Sequence, residues 1–509
     1  MESPSLLEQG KNAQPIERRD GVTPTEKYLK KICEKTFLSL WSYSGLYKDQ
    51  GFQPGKGGKE ICDLLVVFGN NIIIFSDKDC KFPDSKNLET DWRRWFKPAI
   101  MKSARQAWGA ERWIKKFPNR IFLDNKCTKP FPFDLPKMSD AEFHLVVVAH
   151  DVARRCAQDM GGSGSLMLNS EIKGMESHLM PYVIGDLDPA KTFVHVLDDT
   201  SLEIVVNEND TISDFVSYLK KKEALLRGPA AIMAAGEEEL LAHYLKNMNE
   251  EEEHDFILPK EADYIAWGEG EWENFKTNPQ RLRKIEANKV SYVWDHLIET
   301  FNEHTLAGTH LYVEESEGAK GSEKIMRFLA KEPRVSRRML GAAFMDLLAR
   351  TSKSKRATRY IQPTKAGEPY YILLLLPRFD FVIDTEYREV RKHFLITCMK
   401  ALKLKFPDAR DIVGIATESG ISNPSRSEDA VYFDAVSWVP SKREEAEILE
   451  AKRNLGILER INSYNVYVNE YPESTDRPLN MIPFIIPKNP RNKPCPCKSE
   501  KKYKHCHGR

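Results

Sequence analysis

Two groups of residues in this chain have types and spacings that could do chemistry. The first closes the sequence. Cys495 and Cys497 sit one residue apart, and after eight more residues Cys506 and His507 follow as a second pair. Zinc takes four such ligands in a tetrahedron, and two close pairs can each clamp one edge of it. Pro494 and Pro496 stiffen the first pair, and Lys498 to Tyr503 supply the linking turn. Four protein ligands leave no position open, so the Zn²⁺ expected here is structural. From Lys488 onward eight Lys or Arg residues stand against one Glu, which makes the knob a cation. The second group lies near the front. Asp63 opens the apolar run "DLLVVF" and Lys78 closes "NNIIIFSDK". Metal-assisted phosphodiester hydrolysis needs carboxylates to hold Mg²⁺ or Mn²⁺ and a cation to steady the attacking water or the developing charge.

The elements around Asp63 and Lys78 decide whether they meet. Thr23, Pro24 and Glu26 spell a capping box, and Leu29, Ile32, Cys33, Thr36, Phe37 and Leu40 recur at helical spacing behind it. Two β-rich runs flank Gly69-Asn70-Asn71, the signature of a hairpin. A two-residue loop sets Phe68 against Asn71 and puts Asp63, Ser76 and Lys78 on one face. A three-residue loop sets Phe68 against Ile72 and puts Asp63 beside Asp77 while Lys78 turns away. A bulge near Ser76 could bring both, and Glu60 or Glu26 could supply a further oxygen. A basic helix is expected from about Asp91 to Lys116, where Lys102, Arg105 and Gln106 could meet a phosphate backbone. A strand, "NRIFLDN", follows it.

Both groups resemble known families. "CPCKSEKKYKHCHG" is similar to the SEC-C motif in its ligand spacing, its Lys-Lys-Tyr-Lys core and its final Gly, and differs at Lys498-Ser499-Glu500, where Gly-Ser-Gly is usual. The motif ends the bacterial preprotein translocase motor, where it docks partners. The resemblance implies zinc held by Cys495, Cys497, Cys506 and His507, and docking to a protein or ribosome. The body has no Gly-Lys-Ser/Thr phosphate loop and so is no translocase motor. The front resembles the PD-(D/E)XK nuclease superfamily in its order of elements: helix with Glu26, strand opened by Asp63, strand closed by Lys78, then a helix with Gln106. That superfamily wants a carboxylate two residues before the lysine, and here the position holds Ser76, with Asp77 between. The resemblance implies a restriction-endonuclease-like core, with Asp63, Asp77, Lys78, Glu26, Glu60 and Gln106 as the catalytic candidates.

The rest of the chain bounds these readings. Its 509 residues are 41% hydrophobic and 30% charged, the composition of a chain able to bury real cores. A net charge of +1 provides no global field toward nucleic acid, so local patches must do that work. The polar start carries no secretory signal, the apolar runs are too short to span a membrane, and nine cysteines, three in the tail and six scattered, fit a reducing cytoplasm. "FHLVVVAHD" and "KTFVHVLDD" read as strands, "TISDFVSYLKKKEALL" as an amphipathic helix, and "YYILLLLP" with "DIVGIATES" as strands around a long helix. Ser163 and Ser165 of "MGGSGS" read as a flexible loop, His144, His150 and His195 as isolated histidines, Glu418 and Ser419 as a strand end, and Trp267 and Trp272 as core. The expected architecture is multidomain α/β: a leader to residue 22, a nuclease-like α/β domain at 23–130, further α/β domains at 131–255 and 256–485, and a zinc knuckle at 486–509. The expected activity is a metal-dependent nuclease acting on nucleic acid, in a role such as defence against foreign DNA. The alternative is a non-catalytic adaptor with a degenerate nuclease fold.

Overall fold

The computed structural model describes residues 15–53, 56–309, 318–378, 383–420, 427–459 and 468–473. The expected zinc ligands Cys495, Cys497, Cys506 and His507 and most of the leader lie outside these. Helix α1 (Pro24–Phe37) starts as its sequence demands. Thr23 Oγ1 accepts from the Glu26 N–H, and Glu26 Oε2 reaches back to the Thr23 N–H. Leu29, Cys33 and Phe37 then form its buried face. Strands β1 (Ser42–Ser44), β2 (Tyr47–Lys48) and β3 (Lys59–Glu60) lead to the hairpin of β4 (Leu64–Phe68) and β5 (Asn71–Lys78). Phe68 pairs with Asn71, so the loop has two residues, with Gly69 at φ +57° as glycine allows.

Helices α2 (Leu88–Phe96) and α3 (Lys102–Lys116) are joined by a wide turn at Lys97–Met101 around Pro98. Beyond them come β6 (Glu142–Ala149), α4 (Ala153–Met160), β7 (Met167–Lys173), β8 (Val183–Asp186) and β9 (Val194–Asp198). One five-stranded sheet runs β1-β4-β5-β6-β9, with β5, β6 and β9 parallel and β4 antiparallel to β5. Strands from both sides of residue 130 therefore share it. Parallel strands covered on both faces read as continuous apolar runs, which is why "LVVVA" and "NIIIF" lack alternation. Phe75 packs on Phe37 of α1, and α3 covers the other face. Each such buried aliphatic or aromatic side chain contributes about 1.5–3 kcal/mol.

Helices α5 (Asp199–Glu208) and α6 (Ile212–Leu226) follow, with Thr211 capping α6. Strand β10 (Ala231–Ala234), α7 (Glu237–Lys246), β11 (Tyr264–Trp267) and α8 (Glu271–Lys276) complete a second sheet, β11-β10-β7-β8. Helices α9 (Pro279–Asn288), α10 (Ser291–Leu306), α11 (Gly318–Lys331) and α12 (Arg334–Arg350) form a helical layer. It is bound to the front through buried Arg334, whose guanidinium meets Asp210 at 2.7 Å and Asp295 at 2.8 Å. The last unit is β12 (Ala357–Ile361), β13 (Tyr370–Leu376), α13 (Asp384–Lys405), β14 (Asp411–Glu418), β15 (Glu428–Asp434) and α14 (Lys442–Leu455). Its sheet runs β12-β13-β14-β15, and β13 and β14 are parallel across α13 as a strand-helix-strand unit requires. Residues 468–473 return to the body, where Glu470 pairs with Lys284 at 2.5 Å and with His254 at 3.0 Å. The chain is thus mixed α/β, with several sheets. No helix among the described residues is long and apolar enough to cross a membrane.

Candidate active site

The carboxyl ends of β5, β6 and β9 define one edge of the first sheet, where ligand sites of open α/β sheets form. Asp63 joins them because β4 runs the other way, and Glu26 joins because α1 starts above the same edge. Asp63 is 7% exposed, and its Oδ2 accepts from the Asp77 N–H at 2.6 Å. Burial lifts its carboxyl to about 6. The Asp77 N–H and Lys78 pull it back, while the charges of Asp77 and Glu26 push it up. Glu60 stands on the exposed strand β3, yet desolvation of its carboxyl, then Asp63 and Glu26, raises it to about 7 against the opposing pull of Lys78. Glu60, Asp63, Glu26 and Lys78 thus feel one another across a single rim. Glu26 is also the cap of α1, bonding the Val22 and Thr23 N–H groups.

Asp77 faces the other way. Phe75 touches Phe37 of α1 and Phe215 of α6, and Asp77, two residues on, shares that face. Ser76 and Lys78 take the α3 face, as the two-residue loop predicts. The Ser76 hydroxyl is buried without a partner. The carboxylate of Asp77 is held by His150, whose Nε2 lies 2.5 Å from Asp77 Oδ1 and whose Nδ1 lies 2.5 Å from Asp199 Oδ1. Burial lowers the imidazole's pKa, but Asp199 and Asp77 more than offset that and raise it to about 10. A ring with a carboxylate at each nitrogen donates from both, so His150 is an imidazolium at neutral pH. Asp199 Oδ2 also accepts from the Asp151 N–H at 2.8 Å, and the Trp95 indole bonds the carbonyls of Cys80 and His150. The ends of β5 and β6 are therefore tied together. Asp77 Oδ2 remains buried without a partner.

Gln106 is half-buried on α3, while Lys102 and Arg105 are exposed there. His144 bonds Asn71 at the opposite end of the sheet, and His195 is fully buried with its Nδ1 unpaired. Glu418 and Ser419 do end a strand, where Arg378 meets Glu418 at 3.1 Å and Ser419 Oγ donates to the Lys355 carbonyl at 2.6 Å. Trp267 and Trp272 are buried. Sequence reasoning read His150 as an isolated histidine and passed over Asp199, whereas the fold sets His150 between two carboxylates. Their signal was present: both "VVVAHD" and "HVLDD" end an apolar strand in polar doublets, which parallel pairing brings side by side.

The donor set suits Mg²⁺ in one respect and strains it in another. Asp63 and Glu60 are hard oxygens with raised pKa values, and a divalent cation commonly takes one or two carboxylates with water and phosphate. Among the described residues no group of three or more His, Cys, Asp or Glu side chains is arranged to hold a metal. At the other end of the chain, residues 491–509 match the SEC-C motif, a motif of zinc-binding type. No curated protein and no solved structure matches this chain.

Proposed function

We propose that the edge carrying Asp63, Glu60 and Lys78 hydrolyses phosphodiesters with Mg²⁺ or Mn²⁺, and that the zinc-bearing tail docks the protein on a protein or ribosomal partner. The observation that carries the first part is the electrostatic coupling of Asp63 and Glu60 to each other and to Lys78, with both carboxyls displaced upward as functional carboxylates often are. Asp63 and Glu60 would hold the cation, which supplies charge for the phosphoryl oxygens and an activated water. Lys78 then faces the charge that develops on phosphorus-bound oxygen. Asp77, fixed by His150, shapes the electrostatics behind them and presents one unpaired oxygen. Exposed Lys102 and Arg105, with Gln106 beside them, offer α3 to a nucleic-acid backbone. A helix, an Asp-opened strand, a Lys-closed strand and a second helix in this order support the nuclease resemblance. Cytoplasmic action on foreign DNA is the role that fits it.

A second reading has its own support. Ser76 stands where a nuclease of this kind places its second carboxylate, and Asp77 points to the opposite face. A degenerate fold serving as an adaptor for the zinc tail matches that departure. Incubation with plasmid DNA and with RNA, each with Mg²⁺ and Mn²⁺, separates the two. Cleavage that falls by about 100-fold in Asp63→Ala and in Lys78→Ala is the expected result. Cleavage indifferent to both changes overturns the site, and no cleavage of any substrate favours the adaptor.

A further inference from the structure

We propose that the outer face of α2 and α3, which run as one rod from Leu88 to Lys116, holds the phosphate backbone of a nucleic-acid duplex. Arg93, Arg94, Lys97, Lys102, Arg105 and Arg112 are all exposed along it. None of the six makes an ion pair among the described residues. The only acid from Arg93 to Lys116 is Glu111, which is buried and spent on Lys115 and Thr192, each at 2.6 Å.

A solvated helix face alternates in sign. Helix α14 does so, with Arg443 and Glu447 2.8 Å apart at i, i+4. On the rod the same spacing sets Arg93 beside Lys97 and Arg112 beside Lys116, pairs that repel. A chain whose net charge is only +1 thus leaves this face uncompensated. A row of phosphates would relieve the repulsion.

Geometry lines the row up. Its outward residues recur at steps of three or four, except from Lys97 to Lys102. There the turn is of π type: the Lys102 N–H donates to the Lys97 carbonyl, so one winding takes five residues and both lysines stay on one side. Such turns are rare and frequent at functional sites. From Arg93 to Arg112 the row spans about 29 Å, the length of about eight base pairs. Gly109 stands within it, where a Cβ would meet nothing within 4 Å. Packing does not require glycine there, and its bare backbone lets the edge of a duplex close on the cations.

The buried face says which polyanion. Trp92, Trp95, Trp108 and Trp113 are at most 9% exposed, so the rod offers no ring to stack unpaired bases as a single-strand site does. It keeps no apolar stripe for a bilayer either, since Ile100, Ala107 and Ile114 are turned into the core. What remains is a straight row of cations, which positions a duplex by its backbone. A duplex held here rests on the nuclease reading only for what is done to it afterwards.

Fluorescence anisotropy of the full zinc-loaded chain tests this, with a duplex about twice as long as the row, as DNA and as RNA, and without Mg²⁺ or Mn²⁺. The association constant should fall with KCl at a logarithmic slope of about −4 to −5, the yield of about five phosphates. Arg105→Ala should make that slope shallower by about one. Gly109→Glu, which the open position accommodates and helix propensity favours, should weaken binding about tenfold. Arg443→Ala on α14 should change neither. Binding of either duplex with these responses supports the proposal. No binding overturns it, and affinity indifferent to Arg105→Ala and Gly109→Glu overturns it by giving the duplex to the cationic tail. Tighter binding to the single strand of the same sequence overturns it too, as does equal binding to phosphatidylserine vesicles. Binding is read apart from cleavage: a chain that binds through the row but cuts nothing defeats the nuclease reading alone, and one that cuts without the row defeats this proposal alone.

Discussion

His150 holds two carboxylates at once, and much of the edge depends on it. Its replacement by alanine would leave Asp77 buried and uncompensated, a loss of about 3–5 kcal/mol in urea unfolding. The carboxylates on the rim lead to a different measurement. Glu60 and Asp63 take up protons near 7 and near 6, so protons compete with any cation there. The apparent affinity for Mn²⁺, followed by paramagnetic relaxation, should fall as pH drops from 7.5 to 5.5, about tenfold per proton displaced per unit below each pKa. Affinity independent of pH over that range would move the cation elsewhere. At this scale the Glu26 capping bond and the places of Asp63 and Lys78 at their strand ends were legible, because each is announced by local sequence. His150 was not, because its partners lie 73 and 49 residues away and only parallel pairing unites them.

Among the elements, the hairpin register was legible in its alternatives: Gly69-Asn70 closes a two-residue loop, and Ser76 falls on the lysine face. The basic helix expected at 91–116 runs unbroken from Leu88 to Lys116 but widens into a π turn at Lys97–Met101, where Pro98 supplies no N–H to the α-helical ladder. In the last unit Gly414 lets α13 settle on β14. A Cβ at that position would lie 2.8 Å from Leu395 Cδ1, and Leu395 is fully buried. Gly414→Ala should therefore cost about 1–3 kcal/mol, read as a lower denaturant midpoint. An unchanged midpoint would mean that the helix shifts freely.

Across the whole molecule, the returning segment 468–473 is a strap fastened by charge. Lys284 and His254 hold the Glu470 carboxyl well below the usual carboxylate range, although burial opposes them. A depressed carboxyl contributes stability above its ordinary value, and that contribution fades as pH falls through the folded one. Glu470→Gln should remove the acid sensitivity and expose the strap to protease at neutral pH. The tail beyond it gives a further expectation: about one zinc per chain, lost in Cys495→Ser with Cys497→Ser, with the melting temperature of the body unchanged. Fold class was legible because strand and helix periods are local. The assignment of 131–255 as a unit apart was less so, since strand order across a sheet leaves no local trace in sequence.

The five-stranded sheet has a practical corollary for anyone dissecting this protein. A fragment stopped at residue 130 would lack β6, baring the inner flank of β5 with its Ile72-Ile73-Ile74-Phe75 run. Such an edge recruits other copies of itself. That fragment should collect in inclusion bodies, whereas one continued through α5 would carry its own seal.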